Sequence, residues 1–168
     1  MILDDVQHEF LALYGQQCTV TVRAPGRVNL IGEHTDYSDL PVLPMAIGQG
    51  LMVAASPRDD GVVRVASSRF EPAAELHRGQ RDEELVAPWH RYLAGALAQL
   101  AEMAPGRGAD IFVAGDLPST GGLSSSSALT VGVLAALAEA WGERLAPDDL
   151  VSRAIVADKD ADVARLRL

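Results

Sequence analysis

Gly115-Asp-Leu-Pro-Ser-Thr-Gly-Gly-Leu-Ser-Ser-Ser-Ser-Ala-Leu129 is the stretch on which the reading of this chain turns. Before it, Ala109 to Ala114 is an apolar run of strand length, with Asp110 its one polar residue. After it, Ser124 to Trp141 is rich in alanine and leucine and closes on Gly142, which predicts a long helix. A strand, a glycine-containing loop and a helix that opens on serines collect unpaired backbone N–H groups at the positive end of a helix dipole, an arrangement that favours phosphate. Serine hydroxyls add donors and can offer an oxygen to Mg2+. The same residues would also serve as an ordinary serine-rich helix cap, so chemistry by itself leaves both readings open. Two other phosphate motifs are excluded, because no lysine follows the glycines as in G-x-x-x-x-G-K-S/T and G-x-G-x-x-G is absent.

Upstream, Trp89 to Met103 places Leu93, Leu97 and Leu100 on one helical face. Thr19 to Ala24 alternates and is β-rich, which predicts a strand. Leu51–Ser56 and Val62–Ser67 predict two more, joined as a hairpin through Arg58-Asp-Asp-Gly61, since Asp-Gly suits turns with positive φ. Residues 68–88 are charged and hold Pro72, Gly79 and Pro88, which predicts a loop or a weakly ordered insertion. At the amino terminus Leu3, Val6, Phe10 and Leu13 recur at helical spacing, with Asp4 and Asp5 in the first turn and Gly15 as the stop. Pro147, followed by Asp148 and Asp149, opens a last helix. No repeat or linker divides the 168 residues, which suffice for one domain with a hydrophobic core. Strands first and helices later favour an α+β fold.

The formal net charge of −9 argues against non-specific binding to nucleic acid or anionic lipid, both of which need clustered Lys and Arg. No run approaches the roughly 20 apolar residues that span a bilayer. Met1 to Glu9 carries acids rather than a basic leader, so the cytoplasm is the expected location. Cys18 is the single cysteine, which excludes an internal disulfide and a cysteine-based metal cluster; a buried, inert thiol is expected.

A second segment, Arg23-Ala-Pro-Gly-Arg-Val-Asn-Leu-Ile-Gly-Glu-His-Thr-Asp-Tyr37, is unusual in setting Glu33, His34, Thr35, Asp36 and Tyr37 together behind a short apolar run. An exposed loop would explain it. A metal site is a poorer match, because these positions do not converge as i, i+4 pairs on a helix do. A cluster of acceptors for sugar hydroxyls suits them better.

Gly26 to Tyr37 resembles the galactokinase signature almost residue for residue. Pro118 to Ala128 resembles the nucleotide-binding motif shared by galactokinases and by homoserine, mevalonate and phosphomevalonate kinases, the GHMP superfamily. Between them, Pro88-Trp-His-Arg-Tyr-Leu-Ala-Gly95 is similar to the family's Trp-x-x-Tyr helix, and the three lie in the family's order. The resemblance implies the α+β fold of a GHMP kinase amino-terminal domain over 1–168, with a mixed sheet and helices packed on one side. Within it, 1–50 would be the signature region, and 109–158 the nucleotide-binding motif with its following helices. It also implies phosphoryl transfer from Mg·ATP to the anomeric hydroxyl of galactose. Arg27 would then be the cation that stabilises the transferring phosphoryl group or acidifies the nearby base, and a surface salt bridge is its plainer role. Glu33, His34 and Asp36 would bond the sugar hydroxyls, while Asn29 and Tyr37 shape the loop. Gly121, Gly122, Leu123, Ser124, Ser125 and Ser126 would wrap the ATP phosphates, and Trp89 would lie beside the adenine unless it is only a helix anchor. Mg2+ would be held by Ser126 and Asp158. Val151, Ile155 and Asp158 share one helical face, so Asp158 is expected to point where the apolar face points, where an acid needs a cation partner. A solvated helix-end aspartate is the plainer alternative.

Two departures from the family pattern follow. Ser38-Asp-Leu-Pro41 stands where the family has Asn and a pair of glycines, and Pro41 stiffens the loop, so a related sugar such as arabinose or a uronic acid is conceivable. No Gly-x-Met-Asp-Gln segment follows Asp158, and Asp160 and Asp162 lie too early to replace its aspartate. The resemblance therefore implies an amino-terminal part without the family's orienting base or carboxy-terminal domain. Non-catalytic binding of ATP or sugar, or association through the surface on which that domain packs, are the alternatives.

Overall fold

The computed structural model describes residues 3–32, 41–77, 84–85, 87–118 and 122–166, with the backbone alone at 160 and 162–166. In chain order the elements are α1 (Leu3–Tyr14), β1 (Val20–Ile31), β2 (Leu43–Arg58), β3 (Val63–Ser67), β4 (Ala74–Leu76), α2 (His90–Gln99), β5 (Gly108–Gly115), α3 (Ser125–Ala140) and α4 (Pro147–Leu166). The five strands form one mixed sheet in the order β1-β2-β5-β3-β4. Only the β3–β5 pairing is parallel.

β5 is buried along nearly its whole length because both of its faces are covered. Alanine and β-branched residues on one face, among them Val53, Ile111 and Val113, pack with α2, α3 and α4 to form the main core. The alternate residues Ala54, Phe112 and Ala114 meet Val6 and Phe10 of α1 on the other face. Three helices therefore share one side, and α1 covers part of the opposite one. Of the α1 stripe expected to be apolar and inward, only Val6 and Phe10 are buried, whereas Leu3 and Leu13 remain 44% and 50% exposed. α3 lies close to the sheet at Gly132, where an added Cβ would stand 3.0 Å from Val53 Cγ2.

The hairpin expected through Arg58–Gly61 does not form. β5 lies between β2 and β3, pairing antiparallel with the first and parallel with the second. The connection therefore crosses two strand spacings, about 10 Å. Gly108 opens β5 in contact with the backbone of Val62, where a Cβ would overlap it. Asp110 then fixes the insertion electrostatically. Fully buried, it accepts bonds from Arg64 Nε and Nη2 at 2.6 and 2.8 Å, from Arg58 Nη1 at 3.3 Å and from Gln16 Nε2 at 2.9 Å. Residues 68–88, read as a loop, contain the short strand β4. Cys18 is half-buried, its Sγ 3.6 Å from Thr21 Oγ1. Among the described residues no helix is long and apolar enough to cross a membrane.

Candidate functional site

The two motifs meet although about 90 residues separate them. β1 continues through the first motif to Ile31, with Arg27 opposite Ala46 and Asn29 opposite Pro44. Asn29, expected to shape a loop, thus belongs to a strand. At Gly26 an added Cβ would stand 2.3 Å from Leu117 Cδ1, so β1 lies close against the side chain that opens the glycine loop, and a larger residue here would require Leu117 to turn aside. One residue on, the Arg27 N–H donates to the Leu123 carbonyl at 3.2 Å.

From the other side Arg69 holds the same loop, donating from Nη1 to the Leu117 carbonyl at 2.8 Å. Its own turn is fixed by Ser67 Oγ, which accepts the N–H groups of Arg69 and Phe70 at 3.2 and 3.3 Å. The Asp116 carboxylate accepts the Gly50 N–H at 2.9 Å, and that bond holds it below the usual carboxylate range.

The loop enters α3 through two left-handed residues, Gly122 at φ 72° and Ser124 at φ 57°. Ser124 is the one non-glycine among the described residues with positive φ, and its side chain makes no capping bond to the helix. A non-glycine residue in this region costs about 1 kcal/mol or more, and such strain gathers where a loop must hold a particular shape.

Beside this helix start is a cavity of about 220 Å3. Phe70, Trp89 and Tyr92 form an aromatic wall, Leu51, Leu117 and Leu129 an aliphatic one, and Ser125 and Ser126 line the helix end. The Phe70 and Trp89 rings lie 5.7 Å apart at 31°. Trp89 is 9% exposed, and among the described residues no acceptor reaches its buried Nε1. His90 supports the wall from behind. Its Nδ1 accepts the Ala87 N–H at 3.2 Å, which leaves Nε2 as the donor to the Pro72 carbonyl, also at 3.2 Å. Burial pushes the His90 imidazole below its ordinary pKa, and the Pro72 bond opposes this only partly.

Asp158 reaches this end of the molecule by a route other than the one expected. Val151 and Ile155 are 55% and 49% exposed, so the apolar pair expected to share a face with Asp158 does not mark the inner face of α4. Beyond Leu150, which packs on the core at its first turns, that face is made by Ala154, Ala157 and Ala161, whose small side chains admit α2 closely. At Gly95 of α2 an added Cβ would stand 2.8 Å from the Ala157 carbonyl oxygen. Asp158 borders this alanine stripe, half-buried, and accepts a bond from Ser127 Oγ at 2.9 Å.

Thus Trp89, Ser125 and Ser126 share one cavity, Arg27 and Leu123 are joined through their backbones, and Asp158 faces the first turn of α3. Glu33, His34, Asp36 and Gly121 lie outside the described residues. Sequence reasoning gave no site role to Phe70, Tyr92, Leu117 or Ser127. Tyr92 was within reach, since it stands three residues after Trp89 on one helix. Phe70 lies in a stretch whose composition signalled only a loop, and nothing local marks it.

Residues 8–57 match the galactokinase galactose-binding signature, and residues 91–165 match the GHMP kinases N terminal domain. The chain is 45% identical over 132 residues to a galactokinase of Chloroflexus aggregans, covering 78% of this chain and 34% of that one. With a galactokinase of Chloroflexus aurantiacus the identity is 48% over 127 residues, covering 74% and 32%. The chain therefore spans about a third of the length of the curated relatives it matches. The crystal structure of Lactococcus lactis galactokinase complexed with galactose superposes with a TM-score of 0.82 at 28% identity, covering 96% of this chain and 43% of that one. Methanococcus jannaschii mevalonate kinase shares the fold, with a TM-score of 0.74 at 18% identity over 84% of this chain and 46% of that one. The chain belongs to the GHMP kinase superfamily and corresponds to the amino-terminal part of its galactokinases.

Proposed function

We propose that these residues form the ligand-holding part of an ATP-dependent sugar 1-kinase whose acceptor is the anomeric hydroxyl of galactose. The observation that carries this reading is the Arg27–Leu123 hydrogen bond. It sets the strand leading to the sugar-binding signature directly against the loop that opens α3. A sugar held after Ile31 and a phosphate held at the start of α3 are thereby neighbours.

In this reading the backbone N–H groups of Gly121 to Ser126 and the α3 dipole bind the ATP phosphates. The adenine occupies the aromatic cavity beside Trp89. Glu33, His34 and Asp36 bond the sugar hydroxyls, and an acceptor left unpaired by the wrong epimer gives discrimination. Arg27 contributes the positive charge that phosphoryl transfer needs. Ser126 and Asp158 offer oxygen donors only, the kind that suits Mg2+, and together they would hold it. When bound, the ion neutralises charge on the phosphate oxygens. The domain division is part of the same proposal: 1–168 forms an amino-terminal GHMP domain, and the remainder of the relatives' length corresponds to no part of it.

The test is calorimetric. Galactose is titrated into the chain with and without an unreactive Mg·ATP analogue. Galactose should release heat that glucose does not reproduce, and Asp36→Asn should abolish it. Galactose binding lost from the unmutated chain in both states would overturn the sugar assignment. Absence of analogue binding would overturn the phosphate assignment.

A further inference from the structure

We propose that Ser127 is a positioning residue for the Asp158 carboxylate and thereby sets how strongly this chain holds the cation of a Mg·nucleotide. The proposal rests on the phosphate-site reading above. Its starting point is the 2.9 Å bond that Ser127 Oγ donates to Asp158 Oδ2. Consecutive residues on a helix point about 100° apart. Ser126 accordingly lines the aromatic cavity, while Ser127 turns to α4. The two serines divide the work, one facing the ligand space and the other facing the acid.

The backbone beneath Asp158 is already fixed. Ala154, Ala157 and Ala161 are buried, and Gly95 brings α2 against the Ala157 carbonyl. The aspartate side chain itself turns about two bonds, beyond that fixed backbone. A hydroxyl donating to one carboxylate oxygen sets the plane of the group in advance, so cation binding need not freeze that rotation. Groups that orient a metal ligand in this way typically alter metal affinity by about tenfold or more when removed.

The experiment measures ADP affinity by titration calorimetry, in excess EDTA and in saturating Mg2+, for the unmutated chain, Ser127→Ala, Ser127→Thr and Asp158→Asn. The ratio of the two affinities reports the cation alone. Ser127→Ala should reduce that ratio about tenfold and leave the EDTA affinity unchanged. Ser127→Thr, which keeps the hydroxyl, should restore it, and Asp158→Asn should remove the Mg2+ enhancement altogether. An unchanged ratio in Ser127→Ala, an equal loss with and without Mg2+, or failure of threonine to rescue would each overturn the proposal. An unmutated chain that binds ADP in neither condition would instead overturn the phosphate-site reading, and the positioning role with it.

Discussion

Replacing Gly95 with alanine sets two effects of opposite sign against each other. Alanine is the better helix former by about 1 kcal/mol, so propensity predicts a gain in stability. The structure predicts a loss. A Cβ at this position would stand 2.8 Å from the Ala157 carbonyl oxygen and 3.3 Å from its Cα. An unstrained contact needs about 3.5 Å. The obstacle is backbone rather than the tip of a flexible side chain, so α2 and α4 must separate by several tenths of an ångström. Overpacking of this kind costs about 1–3 kcal/mol. The net effect is a destabilisation of about 1 kcal/mol, which for a chain of this length lowers Tm by about 3 °C. Thermal and urea denaturation measure it directly. Ala98→Gly, an exposed site on the same helix, calibrates propensity alone and should cost about 1 kcal/mol. Because Asp158 follows Ala157, the Gly95→Ala variant should also show weaker Mg2+ enhancement of ADP binding. A Gly95→Ala variant more stable than the parent would show that α2 and α4 do not meet at this point, and the placement of Asp158 would fall with it.

Asp110→Asn should cost about 3 kcal/mol in urea denaturation, because it removes the carboxylate that neutralises two arginines across β2, β5 and β3; a loss below about 1 kcal/mol would contradict that role. His90 gives a pH dependence whose sign is fixed by the downward shift. The unfolded chain takes up its proton first, so stability is full above the ordinary value of 6.5 and falls as pH drops below it. Denaturation midpoints between pH 8 and pH 5, chosen to span about 1.5 units on either side of that value, should show this slope, and His90→Gln should flatten it. At Ser124, where φ is 57°, glycine should be nearly neutral, since relief of strain offsets the added chain entropy. Ser124→Val should lose about 2 kcal/mol, and a fully tolerated valine would contradict the left-handed conformation.

Much of the architecture was legible in the sequence because its signals are local. Gly15 and Gly142 end helices with φ of 72° and 80°, as their positions suggested. The run Ala109–Ala114, apolar but for Asp110, was legible as a strand, and the structure covers it on both faces. The hairpin misreading has a physical cause. A turn signal in Asp59-Asp-Gly61 fixes a local change of direction, but the strand that fills the gap arrives some 45 residues later, brought there by Gly108 and Asp110. The reading of α4 failed in the same way. Hydrophobicity ranks Val151 and Ile155 above alanine, yet close approach to Gly95 selects the small side chains. At the site, the contiguous motifs were visible, whereas Phe70 and the Ser127–Asp158 bond depend on tertiary placement that no local pattern encodes.

The central claim is that a Mg·nucleotide binds at the start of α3 with its base against Trp89. The chain has two tryptophans. Trp141, whose Nε1 donates to the Gly108 carbonyl at 2.9 Å, caps the far end of α3, about 24 Å along the helix from Ser125. In a Trp141→Phe variant the tryptophan emission therefore reports Trp89 alone. Titration with Mg·ATP should change that emission saturably, at millimolar concentration or below. Emission that stays constant across the same titration, while the variant remains folded, would contradict the account.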